Sequence, residues 1–507
     1  MLKPVSNATH VRSGSVARCD PGTRLEVIAA IEQWLNSPDK QAVCWLNGPA
    51  GYGKSALAQT IAERYDEKNR PIGSFFFLRG AGERSHISRL IPTLTHQISL
   101  SAPACKPLLE KALQDEPDLL GSSISLARRF QKLIINPIST TIGEPWLLVI
   151  DALDECDDKV QMAEFIDVLI DVSRRGQLSF RVLLTSRVEE HIRKKFHDPR
   201  AQSVFYCIDL RDFDPRPDIQ GYLQREFASI YGQHHPIMRW TPLPWPTPPA
   251  LSKLLDMAGS SFMFAVTLIQ FIGTSTIPDE ALQQVLSSGI TGLDPLYKQV
   301  LLNASPTPVL DQILGTLMII FENPSIIFLS SLLCLQPQKI VQELLAVQSV
   351  VKIPGDDDEP VMLYHTSLRD FLIDQSRSGI YFINPHMQHI HLAMDCLKCL
   401  AQDSSKDFFN SKDKNYACLE WSHHFLLGLQ GYKEFLDEAI INSSVSLLEI
   451  FLTLQGKTWY NTMLTIRYGD LDEIIERLKA GKLLLQVSHS HCIPATHLNL
   501  YKINKSL

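Results

Sequence analysis

The chain has 507 residues, too many for one ordinary core and enough for roughly three domains of about 150 residues. With 45% apolar and 20% charged residues it has the make-up of a folded globular protein. Its net charge of −7 gives no sign of a nucleic-acid binder. Ten cysteines without a disulfide-like framework, and an N-terminus without an apolar run, predict a reducing, cytoplasmic setting and no signal peptide. The greasiest stretch, Ile313 to Leu335, is broken by Glu322-Asn323-Pro324, so no membrane span is expected.

In chain order, residues 1–20 read as a polar, irregular segment. Helical spacing starts after Pro21-Gly22-Thr23-Arg24, with Leu25, Ile28, Ile31 and Leu35 on one face. Ala42–Leu46 reads as a buried strand. It runs into Gly48-Pro49-Ala50-Gly51-Tyr52-Gly53-Lys54-Ser55, and Ala56 opens a segment of good helix formers. Further strands are expected at Gly73–Leu78, Trp146–Ile150, Arg181–Thr185 and Ser203–Ile208, with helices near 88–100, 104–114, 124–135 and 160–174. Alternating strands and helices predict an α/β domain over 21–212, a parallel sheet with helices on both faces.

A helical domain is expected over 213–300, interrupted at 236–249 by a surface loop with six prolines and two tryptophans. Over 301–385, helices precede two short strands, Val350–Ile353 and Val361–Tyr364, which is the layout of a winged helix. Residues 386–480 read as α-helical and 481–507 as an irregular tail. No repeat of fixed period is visible.

Strand, glycine-rich loop and helix together make a P-loop. The glycines let backbone N–H groups turn around a phosphate chain, and the helix N-terminus adds partial positive charge. Lys54 is placed to reach the terminal phosphates and the Ser55 hydroxyl to reach Mg²⁺. Trp146–Ile150 ends in Asp151, a carboxylate at a strand tip suited to holding Mg²⁺ through water. Asp154 and Glu155 follow, and either could position or deprotonate an attacking water. Thr185, Ser186 and Arg187 end another strand, where Arg187 could sense a γ-phosphate. The alternatives are a solvated acidic cap and a loop arginine in a salt bridge. His386, His389, His391, Cys396 and Cys399 look like metal ligands, but without a second Cys-x-x-Cys they read better as core packing.

Gly48–Ser55, Asp151–Glu155, Leu184–Arg187 and His365–Leu372 together resemble the NACHT family of STAND P-loop NTPases, above all its mushroom-type fungal members. Cys19–Arg24, Trp45–Gly48, Ser74–Gly80, Leu90–Leu94 and Tyr416–Trp421 match habits of that group. The resemblance spans about residues 19 to 430. It implies a molecular switch related to NOD-like receptors, in which ADP or GDP holds a closed form. Exchange for ATP or GTP opens that form, which then self-associates. It implies phosphate and Mg²⁺ contacts for Lys54 and Ser55, metal support from Asp151, hydrolysis through Asp154 or Glu155, and diphosphate contact for His365. Ala258–Phe264 stands where some relatives place a Gly-x-Pro adenine contact, without the proline. Neither an effector domain before the P-loop nor C-terminal repeats are readable.

The expected function is therefore a nucleotide-dependent signalling switch and weak NTPase. The alternatives are a nucleotide-binding scaffold without turnover and a winged-helix ATPase on DNA. Asp356, Asp357, Asp358 and Glu359 at the wing tip disfavour the last, since phosphate would repel them.

Overall fold

Five short apolar segments form a parallel sheet: β1 (Val43–Asn47), β2 (Ile72–Phe76), β3 (Leu147–Asp151), β4 (Arg181–Ser186) and β5 (Phe205–Asp209). Their spatial order is β2-β3-β4-β1-β5, so β4 lies between the strand that feeds the P-loop and the strand that ends in Asp151. The computed structural model describes residues 2, 4–12, 16–37, 41–79, 82–121, 124–141, 145–288, 292–305, 307–401 and 412–429. It divides into two units, Met1–Leu296 and Tyr297–Leu507.

The strands are continuous apolar runs because both faces of the sheet are covered. On one face Trp45, Phe75, Ile150 and Leu184 join a core with Leu90 and Leu94 of helix α3 (Leu90–Ser101) and with Phe165 and Leu169 of helix Lys159–Arg174. On the other, Cys44, Leu46, Val149 and Leu183 meet helices α1 (Leu25–Asn36) and α2 (Lys54–Glu67). The buried stripe of α1 is Val27, Ile28, Ile31 and Trp34. Leu25, expected on that face, is 56% exposed: as the first residue of α1 it lies beside the stripe, which begins at Val27 and Ile28.

The first residues are more ordered than their composition predicts. Val5 and Ala8 are buried in the core beside α3. The backbone N–H of Val5 donates to Thr93 Oγ1 (3.1 Å) and that of His10 to Ser74 Oγ (2.9 Å), while Gln59 Nε2 donates to the His10 carbonyl (2.7 Å). Two small apolar anchors and three bonds to buried polar groups dock this arm. No periodicity announces such an arrangement.

After the sheet come helices Arg216–Gln233, Pro248–Ala258 and Phe262–Gly273. The proline-rich segment lies largely at the surface and is pinned to them at Trp245. Trp245 is buried, lies edge-on to Phe227 (5.2 Å), and donates its Nε1–H to Asp279 (2.8 Å). The helix expected near 124–135 carries a π-helical stretch at Gln131–Ile135.

In the second unit, helices Pro308–Ile319, Ile326–Leu333 and Pro337–Leu345 precede an antiparallel hairpin. Its strands are β6 (Val351–Lys352) and β7 (Met362–Leu363), and Ser325 bridges to Pro360. Helices Pro385–Ala401 and Lys412–Leu429 pack together around Trp421 and His424. Cys396 and Cys399 are buried there. Among the described residues no three His, Cys, Asp or Glu side chains could share a metal ion. Nor is any described helix long and apolar enough to cross a membrane. The expectations for residues 402–411 and 430–507 lie outside the described residues.

Candidate functional site

Gly48–Ser55 links β1 to α2, and its turn depends on glycine. Gly51 (φ 79°) and Gly53 (φ 85°) lie in the left-handed region that side chains avoid. A Cβ on Gly51 would also stand 2.7 Å from Ser261 Oγ and 3.2 Å from Met263 Cβ. The Met263 N–H donates to the Gly51 carbonyl (3.3 Å), and Ser261 caps helix Phe262–Gly273. The Ala258–Phe264 segment thus packs directly on the P-loop. Around the turn, Pro49 and Ser55 are exposed while Ala50, Tyr52, Gly53 and Ala56 are half-buried.

Lys54 is the most constrained group. It is 9% exposed, and its Nζ donates to the carbonyls of Gly48 (2.7 Å) and Pro49 (2.8 Å). Burial pushes its pKa down to about 8, a fall opposed by the carboxylate of Asp154 and deepened by Arg187.

Asp151, buried at the tip of β3, accepts a hydrogen bond from the Thr185 hydroxyl, and the Ser55 hydroxyl favours its charged form. Thr185 Oγ1 in turn accepts from the Ala152 N–H (2.9 Å). Burial raises the Asp151 pKa; the two hydroxyls and the charge of Arg12 pull against that rise. Ala152 turns the chain through the left-handed region (φ 58°) and returns Asp154 to the sheet tip. Asp154 is buried and paired: Oδ1 accepts the Arg187 N–H (2.9 Å), and Oδ2 lies 3.2 Å from Arg187 Nε. Glu155 Oε2 accepts the Arg79 N–H (3.3 Å). Burial, then the neighbouring Asp154, raises the Glu155 pKa to about 7. Ser186 is buried and accepts from Trp45 Nε1 (2.8 Å).

The sheet therefore brings Lys54, Ser55, Asp151, Asp154, Glu155 and Arg187 together at the carboxyl ends of β1, β4 and β3. His365 belongs to the second unit. Its Nδ1 accepts the Ser367 N–H (3.0 Å), which assigns the ring proton of the neutral form to Nε2.

Three arginines that sequence reasoning does not assign to the site join it. Arg24 is buried, donates Nη2–H to the Tyr52 carbonyl (2.9 Å) and lies over the Phe262 ring (4.8 Å). Its own N–H is held by Asp218 (2.9 Å). Arg12, from the N-terminal arm, lies 4.0 Å over the Phe76 ring. Arg84 donates Nε–H to the Phe76 carbonyl (3.2 Å).

The donor set fits a nucleoside phosphate and Mg²⁺. Gly51 and Gly53 keep the cradle free of side chains, Lys54 brings a desolvated ammonium, and Ser55 with Asp151 offers the hard oxygens that Mg²⁺ prefers.

These features define a P-loop NTPase: the loop, the parallel sheet and the carboxylate-tipped strand occur together. The family profile described as "Nephrocystin 3, N-terminal" matches residues 26–187, which enclose that site. A search of curated proteins returns no match. Among solved structures, a Walker-type ATPase of Pyrococcus abyssi is 15% identical with a TM-score of 0.36, over 71% of this chain and 98% of that one. The Aeropyrum pernix ORC1 protein, solved in complex with DNA, is 13% identical with a TM-score of 0.29, over 68% and 91%. Neither superposition is close enough to carry function.

Proposed function

We propose that the chain is a nucleotide-dependent signalling switch of the NACHT type, with slow NTP hydrolysis and self-association in its triphosphate form. The observation that carries this reading is the buried Asp151 at the tip of β3, with Thr185 donating to it, beside the buried Lys54 in a loop whose Gly51 leaves no room for a side chain. Lys54 and the loop N–H groups bind ATP or GTP, with ADP or GDP in the closed form. Ser55 and, through water, Asp151 hold Mg²⁺, which neutralises charge on the phosphates. Glu155, with a pKa of about 7, is the better general base at neutral pH. Asp154 acts through Arg187, holding that guanidinium at the tip of β4.

His365 supplies the link to the diphosphate, as the NACHT resemblance implies. Its Nε2–H is a suitable donor to a phosphate oxygen. The hairpin after three helices supports the winged-helix assignment of that region. Asp356, Asp357, Asp358 and Glu359 at its tip are exposed, which disfavours DNA as a partner.

Calorimetry with Mg²⁺ and each nucleotide tests the binding. Lys54→Ala should weaken triphosphate binding at least about tenfold. Unchanged affinity in a folded variant refutes the P-loop assignment. Light scattering should report larger particles with triphosphate than with diphosphate.

A second reading, a scaffold that binds nucleotide without turnover, is favoured by one feature. Both Asp154 oxygens are occupied by Arg187. Asp154→Asn with Glu155→Gln should retain nucleotide and abolish hydrolysis. If the unchanged chain hydrolyses nothing, the scaffold reading holds.

A further inference from the structure

Arg12 and Arg84 reach one residue from two directions. Phe76 ends β2 and is paired in register with Asp151. Its ring belongs to the core beneath α2, and the Arg12 guanidinium covers its face at 4.0 Å. Its carbonyl accepts Arg84 Nε–H at 3.2 Å. Apart from the Phe76 ring, Arg12 has one protein acceptor, the Thr9 carbonyl (3.0 Å). Among the described residues neither guanidinium has a carboxylate within ion-pair distance. Glu63 of α2, whose charge attracts Arg12, is already held by Arg18 (2.7 Å) and Gln59 (2.7 Å). Each guanidinium carries five N–H donors, so most of both forks are unused by the protein.

Burial opposes the charge of each half-buried guanidinium, and the charge of Arg12 adds to this at Arg84; the carboxylates of Asp151 and Glu63 act against it at Arg12, and those of Glu155 and Asp151 at Arg84. That arrangement is stabilised by an anion with several acceptor oxygens. They stand at the strand end where Asp151 and Ser55 mark the metal side of the phosphate chain. Guanidinium forks match a phosphoryl group bidentately.

We propose that Arg12 and Arg84 form a clamp, supplied by the same chain, for the terminal phosphoryl group of a nucleoside triphosphate, so that the N-terminal arm is held more firmly by triphosphate than by diphosphate. This rests on the nucleotide-binding reading above and adds to it the residues that tell three phosphates from two. The arm then reports the nucleotide state. Residues 5–10 anchor it through Val5, Ala8 and His10, and Arg12 is its contact with the ligand.

The test uses the full chain with Mg²⁺ and either a non-hydrolysable triphosphate analogue, the diphosphate, or diphosphate with inorganic phosphate. Arg12→Met keeps an apolar stem over Phe76, Arg12→Lys keeps the charge, and Arg84→Met removes the partner. Arg12→Met and Arg84→Met should each weaken the triphosphate about tenfold and the diphosphate less than about twofold. Arg12→Lys should fall between. Hydrogen exchange at residues 5–12 should slow with the triphosphate analogue and not with the diphosphate. Slowing by diphosphate with inorganic phosphate, and not by the analogue, would assign the clamp to free phosphate and overturn the proposal. Equal losses for both nucleotides, or none, would make Arg12 a cover for Phe76 and overturn it too. Absence of any nucleotide binding by the unchanged chain would remove the underlying reading as well. The two failures are therefore distinct.

Discussion

Lys54 should take up a proton when nucleotide binds in mildly alkaline solution. Its ordinary pKa of 10.5 is lowered to about 8 by burial against the carbonyls of Gly48 and Pro49. That difference corresponds to about 3 kcal/mol favouring the neutral amine. A phosphate chain in the loop supplies the counter-charge that burial removes, and so restores the ammonium. At pH 8.5 about three quarters of the molecules start with Lys54 neutral, so binding should draw in about 0.7 proton per nucleotide. At pH 6.5 the uptake from this group should be under about 0.1. Phosphate groups, with a second pKa near about 6, are already ionised at pH 8.5 and do not obscure the effect. Calorimetry in two buffers of different ionisation enthalpy reads the proton number directly. Lys54→Arg keeps a cation that does not titrate and should bind without uptake. Intact binding at pH 8.5 with no uptake by the native chain, or equal uptake by Lys54→Arg, would refute the reasoning. The same shift governs stability. Between about pH 8 and 10.5 the unfolded chain binds more protons than the native one, so the protein without nucleotide gains stability as pH rises through that window.

Gly51→Ala places a side chain at φ 79° and against Ser261 Oγ, and should cost about 2 kcal/mol in thermal or denaturant unfolding. In a Ser261→Ala background the added cost should be smaller; an equal cost would show that the close approach is immaterial. Glu155 keeps its proton to about pH 7 in the native state and sheds it near pH 4.5 when unfolded. The native state thus binds more protons in between, and stability falls as pH rises through that range. The fall is at most about 3 kcal/mol, and less because Glu155 keeps some surface exposure. Glu155→Gln should flatten the melting temperature against pH from about 4.5 to 7.5; an unchanged slope would assign the effect elsewhere. His365→Leu should lower diphosphate affinity more than triphosphate affinity and favour larger particles at lower triphosphate. Equal losses would leave His365 a core histidine.

Much of the first unit is legible in the sequence because its signals are local. Each strand is a run of five or six residues with apolar side chains for both faces, and Val43–Asn47, Leu147–Asp151 and Arg181–Ser186 fall within a residue of where periodicity puts them. Strand order is not local. Nothing in Arg181–Ser186 announces that it inserts between β1 and β3, yet that insertion brings Thr185 onto Asp151 and Arg187 onto Asp154. The same limit hides the arm. Val5, Ala8, His10 and Arg12 follow neither a helical nor a strand period, and their partners lie 49 to 88 residues away in sequence where the separation is fixed by a hydrogen bond. Leu25 errs the other way. It fits a helical stripe on paper, but it is the first residue of α1 and the buried stripe begins at Val27 and Ile28.

The site's own contacts bear on how a switch of this kind is biased. Lys54 rests on two loop carbonyls, Arg187 on Asp154, and the Thr185 hydroxyl on Asp151. Each of these groups already has a partner, so ligand binding exchanges contacts and does not simply add them. The exchange is unequal across the site. On the proposed reading a diphosphate uses Lys54 and the loop N–H groups, whereas a third phosphate would meet the Arg187–Asp154 pair and the little-used forks of Arg12 and Arg84. Releasing Arg187 leaves Asp154, 2% exposed, without its cation, which is costly in a buried setting. The arginine pair supplies compensating attraction on the β2 side. A ligand shifts a conformational balance only by its difference in affinity for the two forms. The terminal phosphoryl group is the one part of the ligand that can carry that difference through both the arm and the β4 tip. The decisive perturbation is therefore Arg187→Ala combined with Arg12→Met. If the two arginines act on the same phosphoryl group, their losses in triphosphate affinity should be coupled; strict additivity would place them at separate sites.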